Sequence, residues 1–323
     1  MGGARGQLHQ CNELNAVANR LRYHHIAAST RQAYDAGWFQ FEQFCVRLAE
    51  HPLPASDDTV LRFLADLHSR GIAIATAKVY LASIANKHTE CEFPIPTRSA
   101  AVSRALQGYQ RLAPTPRDHR LPITLDIMRY LKDRLSAMNL ATVDKHMYWA
   151  AFTMAFAGLL RVSEYTAPSP ASYSTARTLL FNDIALTADV ITVSLKTTKT
   201  DQYSHGYKLL LRKTGRSVCP VRALATYAAS RLELGSKREP LFILSSRAYL
   251  TRQDVDRTLK HLLCPLPEHH RYGTHSFRIG GTTTAAVGGS SDKEIQRLGR
   301  WKSNCFSAYV RSQIPTDGIN PYA

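Results

Sequence analysis

The sequence predicts a mainly α-helical protein with one small antiparallel β-sheet, divided into two domains. Apolar residues recur at intervals of three and four along most of the chain, as they do on the buried face of a helix. Short β-prone runs interrupt this pattern between residues 178 and 211. Three prolines within residues 113–122 are typical of an extended linker. We therefore expect one domain over residues 1–115 and a second over residues 116–323.

The first domain is predicted to be a unit of four helices joined by short connections. The predicted helices span 28–50, Asp57 or Asp58 to Gly71, 73–88 and 98–112. The apolar stripe of the first helix has spacings of 4, 3, 4 and 3 and comprises Tyr34, Trp38, Phe41, Cys45 and Leu48. The residues expected to lie inside from the other three helices are Val60, Leu61, Leu64, Leu67, Val79, Tyr80, Ile84, Val102, Leu106 and Tyr109.

The second domain is predicted to be mostly helical around one three-stranded sheet. Helix is expected over 124–165, where residues 149–160 are nearly all apolar and so indicate a helix buried in a core. The predicted strands are Thr178–Phe181, Val190–Leu195 and Tyr207–Leu211. Further helices are predicted over 218–234, 251–263, 276–287, 291–299 and 303–313.

The net charge indicates a polyanionic partner, most often nucleic acid. Lys plus Arg number 41 and Asp plus Glu number 25, so the formal net charge is +16. Residues 116–323 carry an excess of 13 positive charges, against an excess of 3 in residues 1–115. The alternative is a merely soluble basic protein. No apolar run approaches the ~20 residues of a membrane-spanning helix, and the N-terminus lacks a secretory signal, so membrane and secreted classes are disfavoured.

The cysteines and histidines do not predict a metal site. None of the six cysteines forms a C-x-x-C pair or pairs with histidine at zinc-finger spacing, so they indicate reduced thiols in an intracellular protein. The pairs His24–His25 and His269–His270 have no plausible further ligands nearby.

Two clusters early in the second domain contain groups suited to phosphate chemistry. Arg161 and Glu164 follow the apolar helix directly, and they form either a structural ion pair or a rigidly held guanidinium for a phosphate. Lys196 and Lys199 lie in the polar turn after the second predicted strand. They belong either to a solvated hairpin tip or to a site in which one ammonium acts as a proton donor.

Two further clusters follow near the end of the chain. His275 and Arg278 are three residues apart on a helix and therefore share a face, although a capped surface helix would look the same. The small residues Gly280 and Gly281 would allow another backbone to approach closely. Trp301 follows a helix-ending glycine and precedes Tyr309 by eight residues; each of them alone is more often a packing residue.

Taken in order, these residues resemble the active site of the tyrosine recombinases, the phage-integrase-like enzymes that break and rejoin DNA. The family pattern is Arg, Lys in a β-turn, His-x-x-Arg, His or Trp, then Tyr; the residues that match it are Arg161, Lys199, His275, Arg278, Trp301 and Tyr309. The segment 274–311 resembles the DIRS-like and Crypton mobile-element branch, whose sequences contain motifs similar to H-S-F-R-I-G-G and L-G-R-W. The N-terminal helices resemble the family's helical core-binding domain.

Some details depart from the wider family pattern. The spacing of eight between Trp301 and Tyr309 is one shorter than in many phage and bacterial members, and resembles that of the mobile-element branch. Lys199 is preferred to Lys196 because Thr198–Gln202 resembles the S-K-T-D-Q of that branch.

The resemblance implies transesterification at a DNA phosphodiester, with no metal and no nucleotide cofactor. Tyr309 would be the nucleophile that forms a 3′-phosphotyrosyl bond, and Lys199 would protonate the leaving 5′-oxygen. Arg161 and Arg278 would bind the two non-bridging oxygens of the phosphate. Three residues remain: His275 and Trp301 would add hydrogen bonds, and Glu164 would orient the site.

The resemblance also implies the partners and the setting. Double-stranded DNA would lie in a clamp of the two domains, with four protomers on two duplexes, for integration or excision of a mobile element. Such a protein would work inside a cell, in the nucleus of a eukaryote and otherwise in the cytoplasm. The alternatives are a type IB topoisomerase-like enzyme and a domesticated, non-catalytic DNA-binding protein.

Overall fold

A computed structural model describes residues 3–112, 119–196 and 206–311 of the chain. The fold class predicted from the sequence is confirmed: the described residues are mostly helical and include one three-stranded antiparallel sheet. The chain divides into two compact units, Met1–Arg117 and Asp118–Ala323. Among the described residues, we find no helix with the length and apolar character needed to cross a membrane.

Unit 1 is a helical bundle with an aromatic core. Its helices are α1 (Gly3–Tyr23), α2 (Ala28–Leu48), α3 (Asp57–Ser69), α4 (Ile74–Glu90) and α5 (Ala100–Leu112). The rings of Phe41 and Phe63 meet edge to face with centroids 5.1 Å apart, and both side chains are fully buried. Helix α3 begins at Asp57, where the Ser56 side chain accepts a hydrogen bond from Thr59 N at 3.1 Å.

Three details of unit 1 differ from the prediction. The sequence did not predict α1, whose apolar Leu14 and Leu21 are 64% and 70% exposed. Leu48, expected inside, ends α2 and is exposed. Val79 is also exposed, because α4 turns a different stripe inward. That stripe comprises Ala77, Leu81, Ile84 and His88.

Unit 2 is built around one central helix, Thr142–Ala157, most of whose residues are buried. Its helices are α6 (Leu125–Ala137), α7 (Thr142–Ala157), α8 (Val162–Tyr165), α9 (Pro220–Leu234), α10 (Arg252–Leu263), α11 (Ser276–Val287) and α12 (Asp292–Gly299). The helix predicted over 124–165 is therefore three helices. Helix α7 ends because Gly158 caps it and Leu159 adopts a left-handed backbone with φ +47°. The helix predicted over 303–313 is a 3₁₀ helix, Asn304–Tyr309, and residues 312 and 313 lie outside the described ranges.

The sheet has the order β1-β2-β3, with strands β1 (Ile184–Leu186), β2 (Val190–Leu195) and β3 (Tyr207–Arg212). The first predicted strand, Thr178–Phe181, was wrong: this run instead hydrogen-bonds to residues 239–241. Leu241 N donates to Leu179 O at 2.9 Å, and Phe181 N donates to Glu239 O at 3.1 Å. The run is apolar and buried, so it matches a strand pattern without belonging to the sheet.

Helix α11 packs against its neighbours at backbone distance, as Gly280 and Gly281 predicted. A Cβ atom on Gly280 would lie 1.8 Å from Ile123 O, and one on Gly281 would lie 2.3 Å from Phe156 O. The N-terminal turn of α11 is thereby held against the C-terminal end of α7.

We expect Gly280→Ala to lower the free energy of unfolding of unit 2 by about 3 kcal/mol, because the new methyl group overlaps a main-chain carbonyl that cannot rotate away. Gly273→Ala is the control, since the added Cβ meets only Asp256 Oδ1 at 3.9 Å. It should change the stability by less than about 0.5 kcal/mol. Urea denaturation measures both, and equal losses would contradict the close approach.

Candidate active site

Six of the residues singled out by sequence come together in unit 2, where α7, α11 and α12 meet the 3₁₀ helix that ends at Tyr309. They are Arg161, Glu164, His275, Arg278, Trp301 and Tyr309. Lys199 lies within residues 197–205, outside the described residues.

A buried carboxylate holds Arg161 in a fixed orientation. Arg161 is the N-cap of α8, and its backbone N donates to Glu164 Oε2 at 2.8 Å. Its Nη1 donates to Glu164 Oε1 at 2.9 Å. The Glu164 side chain is 4% exposed while that of Arg161 is 18% exposed. The ion pair, one of the two alternatives that the sequence left open, is therefore present, and part of the Arg161 side chain still faces solvent.

A second arginine, Arg300, binds the same carboxylate, and sequence reasoning did not assign it a role. Its Nη2 donates to Glu164 Oε2 at 2.7 Å and to Leu159 O at 3.2 Å. Its Nη1 donates to Gly158 O at 3.2 Å and to Leu298 O at 3.0 Å. The one available signal was its place in the L-G-R-W text, directly after the glycine that ends α12.

Arg278 is fully buried beneath two aromatic rings. Its Nη1 donates to Leu159 O, and its Nη2 donates to Gly299 O at 2.6 Å. The guanidinium carbon lies 4.1 Å from the centroid of the Trp301 ring and 5.7 Å from that of Tyr309. Its Nε is buried and has no hydrogen-bond partner among the described residues.

The site carries more positive than negative charge. Among the described residues, the guanidiniums of Arg161, Arg278 and Arg300 lie close to one carboxylate, that of Glu164. Burial, followed by the charges of Arg161 and Arg300, lowers the pKa of Arg278 to about 9, so this side chain is still charged at neutral pH. Main-chain carbonyls at the C-terminal ends of α7 and α12 offset part of this charge. An anion bound here would relieve the remaining repulsion.

Tyr309 lies among aromatic and cationic groups at the edge of this cluster. Its ring centroid is 5.3 Å from that of His275 and 5.2 Å from that of Trp301. Trp301 is nearly buried, and its ring covers Gly299 so closely that a Cβ atom there would lie 1.8 Å from a ring carbon. The glycine of L-G-R-W is thus needed for the position of the indole.

Thr283 fixes the main chain on both sides of Tyr309, a role that the sequence did not predict. Its Oγ1 donates to Tyr309 O at 3.1 Å and accepts from Arg311 N at 3.2 Å. A threonine within a buried helix carries no pattern that would distinguish this contact from ordinary packing.

The two ends of the segment 197–205 are anchored to other parts of unit 2. The Nζ of Lys196 lies 2.8 Å from Asp183 Oδ2 and donates to Thr175 O at 2.7 Å. On the other side, the Tyr207 hydroxyl donates to Arg297 O at 2.9 Å. The Lys196 ammonium is therefore already engaged by a carboxylate and a carbonyl.

The arrangement is suited to chemistry on an anionic ester. The Tyr309 phenol lies beside the Arg278 guanidinium, whose positive charge would stabilise charge on an attacked phosphate.

Comparisons with known proteins find a recombinase that is similar in sequence to most of this chain. An integrase/recombinase xerD homolog from Selenomonas ruminantium is 23% identical over 299 residues, which cover 90% of this chain and 83% of the relative. No protein-family model matches the chain.

Three solved structures share the fold. The XerH site-specific recombinase bound to palindromic difH substrate, in a post-cleavage complex, has a TM-score of 0.63 at 14% identity, over 86% of this chain and 75% of that one. The Tn1549 transposon integrase in complex with circular intermediate DNA has a TM-score of 0.60 at 15% identity, over 92% and 94%. A lambda integrase dimer bound to a COC′ core site has a TM-score of 0.58 at 14% identity, over 93% and 94%.

We expect Thr283→Val to accelerate amide hydrogen exchange at Arg311 and to lower the free energy of unfolding by about 1 kcal/mol, the net value of a typical hydrogen bond. The control is Thr284→Val, since the buried Thr284 hydroxyl donates to Gly280 O within its own helix. Unchanged exchange at Arg311 in the Thr283 variant would contradict the anchoring role.

Proposed function

We propose that this chain is a site-specific DNA recombinase of the tyrosine recombinase family. The observation that carries the proposal is the packing of Tyr309 and Trp301 on the buried guanidinium of Arg278, with His275 against the Tyr309 ring. The fold that the chain shares with recombinases and integrases, three of them crystallised on DNA, supports it. The excess of 13 positive charges in residues 116–323 fits a phosphate backbone as partner.

The proposed reaction is a transesterification in which no bond energy is lost. The Tyr309 Oη attacks the scissile phosphorus and gives up its proton, and the bond to the 5′-oxygen breaks. The products are a 3′-phosphotyrosyl enzyme and a free 5′-hydroxyl. Attack by a 5′-hydroxyl of another strand reverses these steps and reseals the DNA, so neither a nucleotide nor a metal ion is required.

The roles of the cations follow from their placement. Arg161 has a partly exposed side chain, of whose guanidinium nitrogens Nη1 binds Glu164, and Arg278 has a buried Nε without a partner among the described residues, so both have donors left for the non-bridging phosphate oxygens. Charge develops on these oxygens in the transition state, where preorganised donors contribute most. His275 and the Trp301 indole N–H supply further donors.

Lys199 is the proposed proton donor to the leaving oxygen. The competing Lys196 is bound to Asp183 and Thr175, which leaves its ammonium poorly placed for proton transfer to a substrate. This supports the choice of Lys199 that the T-K-T-D-Q text suggested.

The wider setting is also part of the proposal. The helical domain over 1–115 would close on the duplex together with the domain over 116–323, and four protomers would join two duplexes. The L-G-R-W text favours integration or excision of a DIRS-like or Crypton mobile element. The enzyme would then act in the nucleus of a eukaryotic host, or in the cytoplasm of any other.

Covalent trapping tests the proposal. The protein is mixed in EDTA with a pool of nicked duplexes, stopped with SDS and examined for a protein–DNA adduct, whose DNA is then sequenced. We expect an adduct with the wild type and none with Tyr309→Phe. The control is Tyr173→Phe, because Tyr173 packs on Tyr249 and not on the site, so this variant should form the adduct normally.

The outcome distinguishes the alternatives. An adduct that survives in Tyr309→Phe would show that another residue is the nucleophile. Tight, salt-sensitive binding without any adduct would favour the domesticated DNA-binding protein. Relaxation of supercoils without recombination between two duplexes would favour the topoisomerase-like enzyme.

We expect Lys199→Met to slow cleavage by about 10²–10⁴-fold, the usual contribution of a general acid. The loss should largely disappear on a duplex with a 5′-bridging phosphorothiolate, because a thiolate leaves without needing a proton. Lys196→Met should show the same loss on both substrates, since its role is structural. Rescue of Lys196→Met rather than Lys199→Met would reverse the assignment.

A further inference from the structure

We propose that Arg300 is a positioning residue that holds Arg161 against the scissile phosphate through the shared carboxylate of Glu164. The inference rests on the proposed function and adds a specific residue to it.

The geometry gives Glu164 two guanidinium partners with different surroundings. One partner, Arg161, is 18% exposed, while the other, Arg300, is 3% exposed. Both donate to the carboxylate within 2.9 Å. The outer side chain is open to solvent and to a substrate, whereas both terminal nitrogens of the inner one donate to protein acceptors. The inner arginine therefore acts on a substrate through Glu164.

The four acceptors of Arg300 explain why the carboxylate does not move. Besides Glu164, its two terminal nitrogens donate to Gly158 O, Leu159 O and Leu298 O. This fork ties the carboxylate to the C-terminal ends of α7 and α12. Without Arg300, the remaining contacts of the Glu164 carboxylate among the described residues would be those to Arg161, and the two side chains could change orientation together.

The backbone of Arg300 supports a role for its side chain. Its φ of +58° lies in the left-handed region, which is strained for a residue other than glycine. Glycine would remove that strain and also end the helix. The strain is offset by contacts that only a forked cation can make, since lysine has a single nitrogen in place of two.

A second reading makes Arg300 a staple that only stabilises unit 2. The two roles differ in how they depend on the charge of the scissile phosphate. A duplex with a methylphosphonate at the scissile position lacks the negative charge that the arginine clamp stabilises. Loss of the clamp should therefore matter much less on this substrate, whereas loss of stability should lower the cleavage rate equally on both.

The experiment compares single-turnover cleavage of the two substrates, both made with the sequence recovered by trapping. We expect Arg300→Met to slow cleavage of the phosphodiester by about 10²-fold, as removal of one transition-state donor does. On the methylphosphonate the loss should stay below about 10-fold. Arg161→Met/Arg300→Met should be no slower than Arg161→Met alone on the phosphodiester, because both changes remove the same contact.

Two further variants keep the test decisive. Arg300→Lys retains the charge but not the fork, and it replaces Arg300→Met if that variant fails to fold; the same selective loss on the phosphodiester is expected. Arg297→Met removes an exposed arginine in the last turn of α12, just before Arg300, and any loss should be equal on the two substrates. Equal loss in the Arg300 variants would overturn the inference while leaving the proposed function intact. Absence of an adduct with the wild type would overturn both.

Discussion

The main-chain carbonyl of Leu159 is the point on which the site depends. It accepts hydrogen bonds from both Arg278 and Arg300, and those two arginines reach on to Gly299 O and Leu298 O. The negative ends of α7 and α12 are thus joined by positive side chains that belong to α11 and to the turn after α12. The left-handed backbone of Leu159 ends α7 at this point. If this carbonyl pointed elsewhere, both cations would be buried with fewer acceptors, and α12 would be joined to the end of α7 through fewer hydrogen bonds.

The same arrangement explains how a protein can hold three arginines, two of them buried, around the carboxylate of Glu164. Burial of an unpaired charge is costly, and one glutamate cannot neutralise three guanidiniums. The carbonyls reduce the cost without removing the net charge, because they are dipoles and not anions. The folded chain therefore keeps an excess of positive charge close to Tyr309, and an anionic substrate would neutralise it.

Sequence reasoning predicted those parts of the site that depend on side-chain identity and spacing. The pair Arg161–Glu164, the convergence of His275 and Arg278 with Tyr309, and the close packing at Gly280 all carry such signals. The role of Thr283 carries none, and that of Arg300 carries only its place in the L-G-R-W text, because their partners are mainly backbone groups of residues distant in sequence. In the fold, the run 178–181 matched a strand by composition but pairs with residues 239–241, and α1 lacks a buried stripe that periodicity could detect. The position of Lys199 stays a prediction.

The reliance on backbone acceptors has a consequence for how freely the sequence can vary. Every amino acid carries a carbonyl, so a substitution at Leu159 or Leu298 that preserves the chain path leaves the acceptor in place. Selection for this arrangement of arginines and carbonyls would then act on a few side chains and on the path of the backbone, while the side chains at neighbouring positions could vary. A chain built in this way can diverge far in sequence while it keeps the same backbone path, in keeping with a shared fold at 14–15% identity.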